Sequence, residues 1–115
     1  MVWPSTSRQF DFDGVRESYL AAAEAVDGLF FPAGEAWRAA WRRDPTLALY
    51  ADDLHPTQAG SYAAALVMYQ QLYGRSPSGL PSSLNMRNGV RLSVSNGTAA
   101  SLQAAAAEAN ERYAR

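Results

Sequence analysis

The sequence predicts an α/β fold in which short apolar strands alternate with amphipathic helices along the first half of the chain. The prediction rests on the spacing of apolar residues, the positions of proline and glycine, and the composition. The 115 residues are 48% hydrophobic and 11% aromatic, which is typical of one packed domain and excludes a disordered chain. Alternating strands and helices favour a layered fold with a parallel sheet and right-handed crossovers.

The first three elements are predicted in the order strand, helix, strand. Residues 1–3 form a short apolar run before a proline, which cannot donate to a sheet, so a strand should end there. Residues 13–26 show apolar positions at helical spacing, and Gly28 is expected to end that helix. The apolar run at residues 29–31, closed by Pro32, predicts a second buried strand.

Two further helices follow. Residues 34–43 return to helical spacing until an Asp-Pro pair stops them. Residues 58–73 carry the strongest helical pattern of the chain, with Pro56 or Thr57 expected near the first turn and Gly74 at the end.

The last third of the chain changes character. Prolines and a glycine forbid regular structure at residues 75–81, and Asn-Gly at 88–89, between two alternating segments, predicts a β-hairpin. An Ala-rich helix is predicted from about residue 95 to 113. We therefore divide the chain into a main part, residues 1–81, and an extension of hairpin and helix, residues 82–115, which we expect to cover an apolar surface of the main part.

Composition excludes several classes of function. A net charge of −1 provides no field to attract nucleic acid or an anionic membrane surface, and no apolar run is long enough to span a bilayer. Without cysteine, neither disulfides nor thiolate chemistry is available. Adjacent Asp52 and Asp53 with a single histidine provide too few ligands for a metal site, so we predict no bound metal.

The chemistry of the chain is expected at its only histidine, His55, which follows Asp52 by three residues just before a predicted helix. An imidazole can accept a proton from a serine hydroxyl while a carboxylate on its other nitrogen fixes the tautomer. The spacing alone also fits a solvent-exposed loop in which Asp52 or Asp53 caps the helix.

Residues 52–62 read Asp-Asp-Leu-His-Pro-Thr-Gln-Ala-Gly-Ser-Tyr. This block resembles the last motif of the SGNH/GDSL hydrolase family. The segments at residues 1–4, 31–37 and 74–77 are similar to bacterial members, so the resemblance covers about residues 1–81.

The resemblance implies part of a flavodoxin-like, three-layer α/β/α fold, containing only the last strands and helices of the family's domain. It also implies ester hydrolysis through an acyl-enzyme on a serine, without a cofactor. Asp52 would be the catalytic residue that orients the imidazole, and His55 the catalytic general base.

The family's Gly-Asp-Ser nucleophile block, its glycine block and its Gly-x-Asn-Asp block do not occur in this sequence. We therefore expect the chain to be inactive alone, as a fragment of a serine ester hydrolase, with an ester substrate only in the intact parent. Either the reading frame was truncated or its start assigned late, which we favour, or the product is a separate half that acts with a partner. An export signal in a missing front part would set the cellular location, which stays open.

The alternative function is a non-catalytic binding or assembly module that docks a partner chain. If residues 1–3 form a strand without its neighbours, its edge is exposed, and such edges self-associate or accept another chain. No nucleic acid and no membrane is expected among the partners.

Overall fold

The computed structural model describes residues 1–115, which form four α-helices and one two-stranded antiparallel sheet. The elements are α1 (Phe12–Ala25), α2 (Ala33–Arg43), α3 (Gln58–Tyr73), β1 (Ser83–Asn85), β2 (Arg91–Ser93) and α4 (Asn96–Tyr113), with a 3₁₀-helix at Thr6–Asp11. The fold thus mixes helices with strands. None of its helices has the combination of length and hydrophobicity that a membrane-spanning helix requires.

The predicted helices are confirmed, because their start and stop signals act locally. Thr57 is the N-cap of α3, and its hydroxyl accepts a hydrogen bond from the Gly60 amide at 3.1 Å. At the other end of α3, Gly74 adopts a left-handed conformation with φ of 62° and donates its amide to Gln70 at 2.9 Å. Ser95 caps α4 in the same way, accepting from the amide of Thr98 at 3.1 Å.

The end of α1 differs from the prediction in one residue. Asp27, not Gly28, takes the left-handed conformation, with φ of 50°. The amide of Gly28 donates to Ala23 at 2.7 Å and that of Asp27 to Glu24 at 3.2 Å, the hydrogen-bond pattern of a Schellman motif. Aspartate tolerates this conformation better than most residues, so glycine is not required there.

The two predicted strands of a parallel sheet are wrong, because residues 1–3 and 29–31 have no regular secondary structure. Each run is only three residues long and ends at a proline. The two segments meet through one short hydrogen bond, from the Met1 nitrogen to the Phe31 carbonyl at 2.8 Å, which is too little to build a ladder. The exposed sheet edge expected at residues 1–3 is therefore not formed.

The predicted hairpin is confirmed with shorter strands. Leu84 of β1 lies opposite Leu92 of β2, and the turn closes with the Val90 carbonyl accepting from the Met86 amide at 2.8 Å. Gly89 has φ of 82°, a conformation that glycine adopts without steric cost.

The core lies where α2, α3 and α4 pack together. Its buried side chains come from both parts of the chain and include many alanines, which let the helices approach closely; the largest are Trp37, Tyr62, Leu66, Leu49 and Leu102. As expected, α4 covers apolar surface of the main part.

One buried carboxylate joins α1 to α2. Glu35 is 2% exposed, and one of its oxygens accepts hydrogen bonds from Arg16 at 3.0 Å and Arg38 at 3.2 Å. Asp13 of α1 binds the same two arginines, at 2.9 Å and 2.7 Å. A buried charge requires such partners, so this cluster fixes how the two helices pack.

Candidate functional site

The loop that precedes α3 is closed at its base like a small hairpin. Tyr50 and Pro56 form an isolated antiparallel bridge. The amide of Ala51 donates to the His55 carbonyl at 2.8 Å, and the amide of Thr57 donates to Leu49 at 2.9 Å. These bonds hold residues 51–55 as a compact turn at the N-terminus of the helix.

The structure brings Asp52 and His55 together within this turn. One carboxylate oxygen of Asp52 accepts from the amides of Leu54 at 2.8 Å and His55 at 2.7 Å. The other carboxylate oxygen lies 2.9 Å from Nδ1 of the His55 ring. The two backbone hydrogen bonds hold the carboxylate of Asp52 in place, and the carboxylate orients the ring of His55.

This arrangement makes the carboxyl group of Asp52 more acidic. Hydrogen bonds from the Leu54 and His55 amides, and then from the His55 ring, lower the pKa of Asp52 from 3.8 to about 2. Asp52 is therefore ionised at neutral pH. Because an ionised carboxylate can only accept hydrogen bonds, Nδ1 of His55 is the donor, and the neutral tautomer that fits this bond carries its lone pair on Nε2.

The ring of His55 points into solvent. Its side chain is 78% exposed and that of Asp52 59% exposed. Nε2 of His55 makes no hydrogen bond within the chain, so a group from outside can reach it.

The alternative interpretation is a solvent-exposed loop in which an aspartate caps α3: the loop is solvent-exposed, but no aspartate caps the helix. Thr57 occupies the N-cap position, and the oxygens of Asp52 bind only groups of its own turn. Asp53 makes other contacts, since its carbonyl accepts from the amide of Thr6 at 2.8 Å and its carboxylate accepts from the Thr6 hydroxyl. Asp53 thereby ties the turn to the 3₁₀-helix instead of facing His55.

Two residues that the sequence did not single out, Trp3 and Tyr50, fix the turn and the residues next to it through hydrogen bonds to distant parts of the chain. Trp3 donates its indole N–H to the Leu54 carbonyl at 2.8 Å and stacks on Trp37, with ring centroids 3.7 Å apart. Tyr50 donates its hydroxyl to the Pro4 carbonyl at 2.6 Å. The two hydrogen bonds join residues that are 51 and 46 positions apart in the sequence, a separation that no local pattern reveals.

Gly60 is the third residue that sequence reasoning missed. A methyl group there would lie 2.6 Å from the Leu49 carbonyl oxygen and 2.6 Å from Cζ2 of Trp37. Trp37 also donates its indole N–H to the Gly60 carbonyl at 3.1 Å. Glycine is therefore needed for α3 to approach the loop and α2, and a glycine in the first turn of a predicted helix was the available signal.

No serine completes a triad inside the chain. No serine hydroxyl makes a hydrogen bond with His55, Ser5 and Ser7 bond to one another at 3.1 Å, and Ser61 lies half-buried on α3. The site as it stands is an imidazole with a fixed orientation and a free nitrogen. Comparisons of the chain with protein-family models, curated proteins and solved structures found no match.

Proposed function

We propose that this chain supplies the acid–base half of a serine ester hydrolase of the SGNH/GDSL type. Asp52 orients the ring and His55 is the general base, while the serine and the oxyanion hole come from a polypeptide segment outside these 115 residues. One observation carries the proposal: a carboxylate holds Nδ1 at 2.9 Å while the ring is 78% exposed and Nε2 is free. The resemblance of residues 52–62 to the family's last motif supports it.

The chemistry needs both nitrogens of His55. Nε2 takes the proton of the serine hydroxyl as the oxygen attacks the ester carbonyl carbon. The proton then passes from Nε2 to the leaving alkoxide as the carbon–oxygen ester bond breaks, leaving an acyl-serine. Water repeats the sequence to release the acid, and the negative charge of Asp52 stabilises the imidazolium in each half.

The proposal extends to the fold. The helices here would flank the parallel sheet of a flavodoxin-like, three-layer domain, whose strands would come from the segment outside these 115 residues. The uncovered apolar outer face of α3 supports this arrangement.

The first test asks whether the chain holds its own nucleophile. The purified chain and His55→Ala are incubated with p-nitrophenyl butyrate and with a fluorophosphonate that labels activated serines, followed by mass spectrometry. We expect no labelled serine and no acyl-enzyme burst in either. A serine adduct that depends on His55 would show a complete site and contradict the fragment proposal.

The second test asks whether His55 works as a base when a nucleophile is supplied. The chain is co-expressed with the Gly-Asp-Ser-bearing part of an SGNH hydrolase from which the Asp-His block has been deleted. We expect ester hydrolysis by the co-purified complex, reduced on the order of a millionfold by His55→Ala. A co-purified complex that hydrolyses esters equally well with His55→Ala would contradict the assignment.

A second candidate function, a docking module without catalysis, is favoured by the outer face of α3. No charged residue occurs in the 16 residues of this helix, and the outward-facing Met68 and Leu72 are 42% and 61% exposed. Exposed apolar side chains that lie next to one another often mark a surface that another molecule covers. The occupant under this candidate is a partner chain with a complementary apolar surface.

Two variants distinguish the hydrolase function from the docking function. If docking is the whole function, Leu72→Glu abolishes co-migration with the Gly-Asp-Ser-bearing chain, and His55→Ala changes neither co-migration nor hydrolysis. If the chain supplies the base, His55→Ala keeps co-migration and loses hydrolysis.

A further inference from the structure

We propose that the chain binds a small, uncharged apolar ligand, such as a short aliphatic chain, in a pocket on α3. This apolar pocket lies between α3 and the segment that leads into β1, and has a volume of about 240 Å³. It is lined chiefly by Tyr62, Ala65, Leu66, Tyr69, Leu80 and Leu84. Neither Asp52 nor His55 lines the pocket, so the inference does not rest on the proposed hydrolase.

The size of the pocket sets the size of the ligand. An apolar cavity of about 150 Å³ stays dry and binds benzene in another, engineered protein. The apolar pocket here has a volume of about 240 Å³ and is partly open to solvent, so it has room for somewhat more than benzene and can leave one end of a ligand in water. Drug-sized ligands need about 300 Å³ or more, so a chain of roughly six carbons fits better.

The chemistry of the lining excludes a polar ligand. Its surface is almost wholly carbon, and the Tyr62 hydroxyl already donates to the Pro81 carbonyl at 2.9 Å and accepts from Gln103 at 2.9 Å. A ligand hydroxyl or charge inside would lose its water without gaining a partner, which costs free energy.

The wall opposite α3 is held in place before any ligand arrives. The buried side chain of Gln103 on α4 accepts from the Gly79 amide at 2.9 Å and donates to the Leu80 carbonyl at 2.9 Å. Because the one amide group of Gln103 binds both residues 79–80 and the Tyr62 hydroxyl, the two walls keep their spacing. A pocket fixed in this way loses little conformational entropy on binding.

The test is a titration of the full chain with 1-hexanol, followed by ¹³C-methyl NMR of the leucines. We expect saturable shifts at Leu66, Leu80 and Leu84, with a dissociation constant on the order of 1 mM or below, from about 0.8 kcal/mol per buried methylene. With 1,6-hexanediol, which would have to bury a second hydroxyl, we expect binding at least about tenfold weaker.

Two matched variants complete the test. Ala65 is exposed and lines the pocket, so Ala65→Leu should occupy it and weaken hexanol binding about tenfold or more without disturbing the helix. Ala104→Leu makes the same change at an exposed position of α4 away from the pocket and should leave binding unchanged. Shifts that do not saturate, saturable shifts at other leucines only, or equal binding by Ala65→Leu would each overturn the proposal.

Discussion

Hydrogen bonds fix the carboxylates of both Asp52 and Glu35, but the two residues differ in how exposed they are and in how far along the chain their partners lie. Asp52 is 59% exposed, and every group that binds it lies within three residues along the chain. Glu35 is 2% exposed, and its partner Arg16 lies 19 residues away on another helix. The local carboxylate leaves an imidazole free to react, whereas the buried one leaves nothing free and joins two helices.

Because of this difference, Asp52 and Glu35 are expected to contribute to different properties of the chain. An exposed ion pair contributes little to folding because water and salt screen it. When one side of a buried ion pair is removed, the charge on the other side is left without either water or a hydrogen-bond partner. We therefore expect Glu35 to matter for whether the chain folds, and Asp52 for what the folded chain can do.

The largest expected effect is that of Glu35→Ala on stability. Arg16 and Arg38 would lose the oxygen that joins them, and breaking a buried pair costs about 3–5 kcal/mol, of which we expect the lower end because both arginines are partly exposed. Urea unfolding followed by circular dichroism measures the loss. Asp52→Asn is the matched control, and the comparison fails if it destabilises the chain as much as Glu35→Ala.

A smaller effect is expected at the cap of α3. Thr57→Ala removes the bond to the Gly60 amide and the 2.7 Å bond to the Ala48 carbonyl, and should cost about 1 kcal/mol. Ser95→Ala removes the equivalent cap of α4 at a similar cost. Of the two variants, only Thr57→Ala should also shift the NMR signals of the His55 ring. If the ring signals in Thr57→Ala are the same as in the native chain, the cap does not help to position His55.

The smallest expected effect is a local loss of the hydrogen bonds to Asp52 at low pH. Because the pKa of Asp52 in the folded chain is about 2, below its ordinary 3.8, its hydrogen bonds are complete above pH 3.8 and are lost as pH falls through 2. The amide signals of Leu54 and His55 should titrate with a midpoint near 2. The Met86 amide, which binds the Val90 carbonyl and no carboxylate, is the control and should show no transition with a midpoint near 2. If the amide signals of Leu54 and His55 titrated with a midpoint near 3.8, the Asp52 carboxylate would not be stabilised by these hydrogen bonds.

The sequence predicted those parts of the fold whose causes are local. The bounds of α3 follow from Thr57 and Gly74 and from apolar spacing in between, and the hairpin follows from Asn88-Gly89. The strands at residues 1–3 and 29–31 were predicted wrongly, because an apolar run of three residues becomes a strand only if another strand pairs with it.

The same division applies to the site. Asp52 and His55 could be predicted to meet because they share one turn. The support from Trp3, which reaches Leu54 across 51 residues, and the close approach at Gly60 depend on how the helices pack. Packing is set by contacts between distant residues, which the spacing of one sequence does not encode.

The central claim is that Asp52 fixes His55 as a base with Nε2 free. The most direct measurement is the ¹⁵N chemical shift of the two ring nitrogens at pH 9, in the native chain and in Asp52→Asn. We predict a protonated Nδ1 and an unprotonated Nε2 in the native chain, and loss of that preference in the variant. A native ring protonated at Nε2, or one unchanged by Asp52→Asn, would contradict the claim.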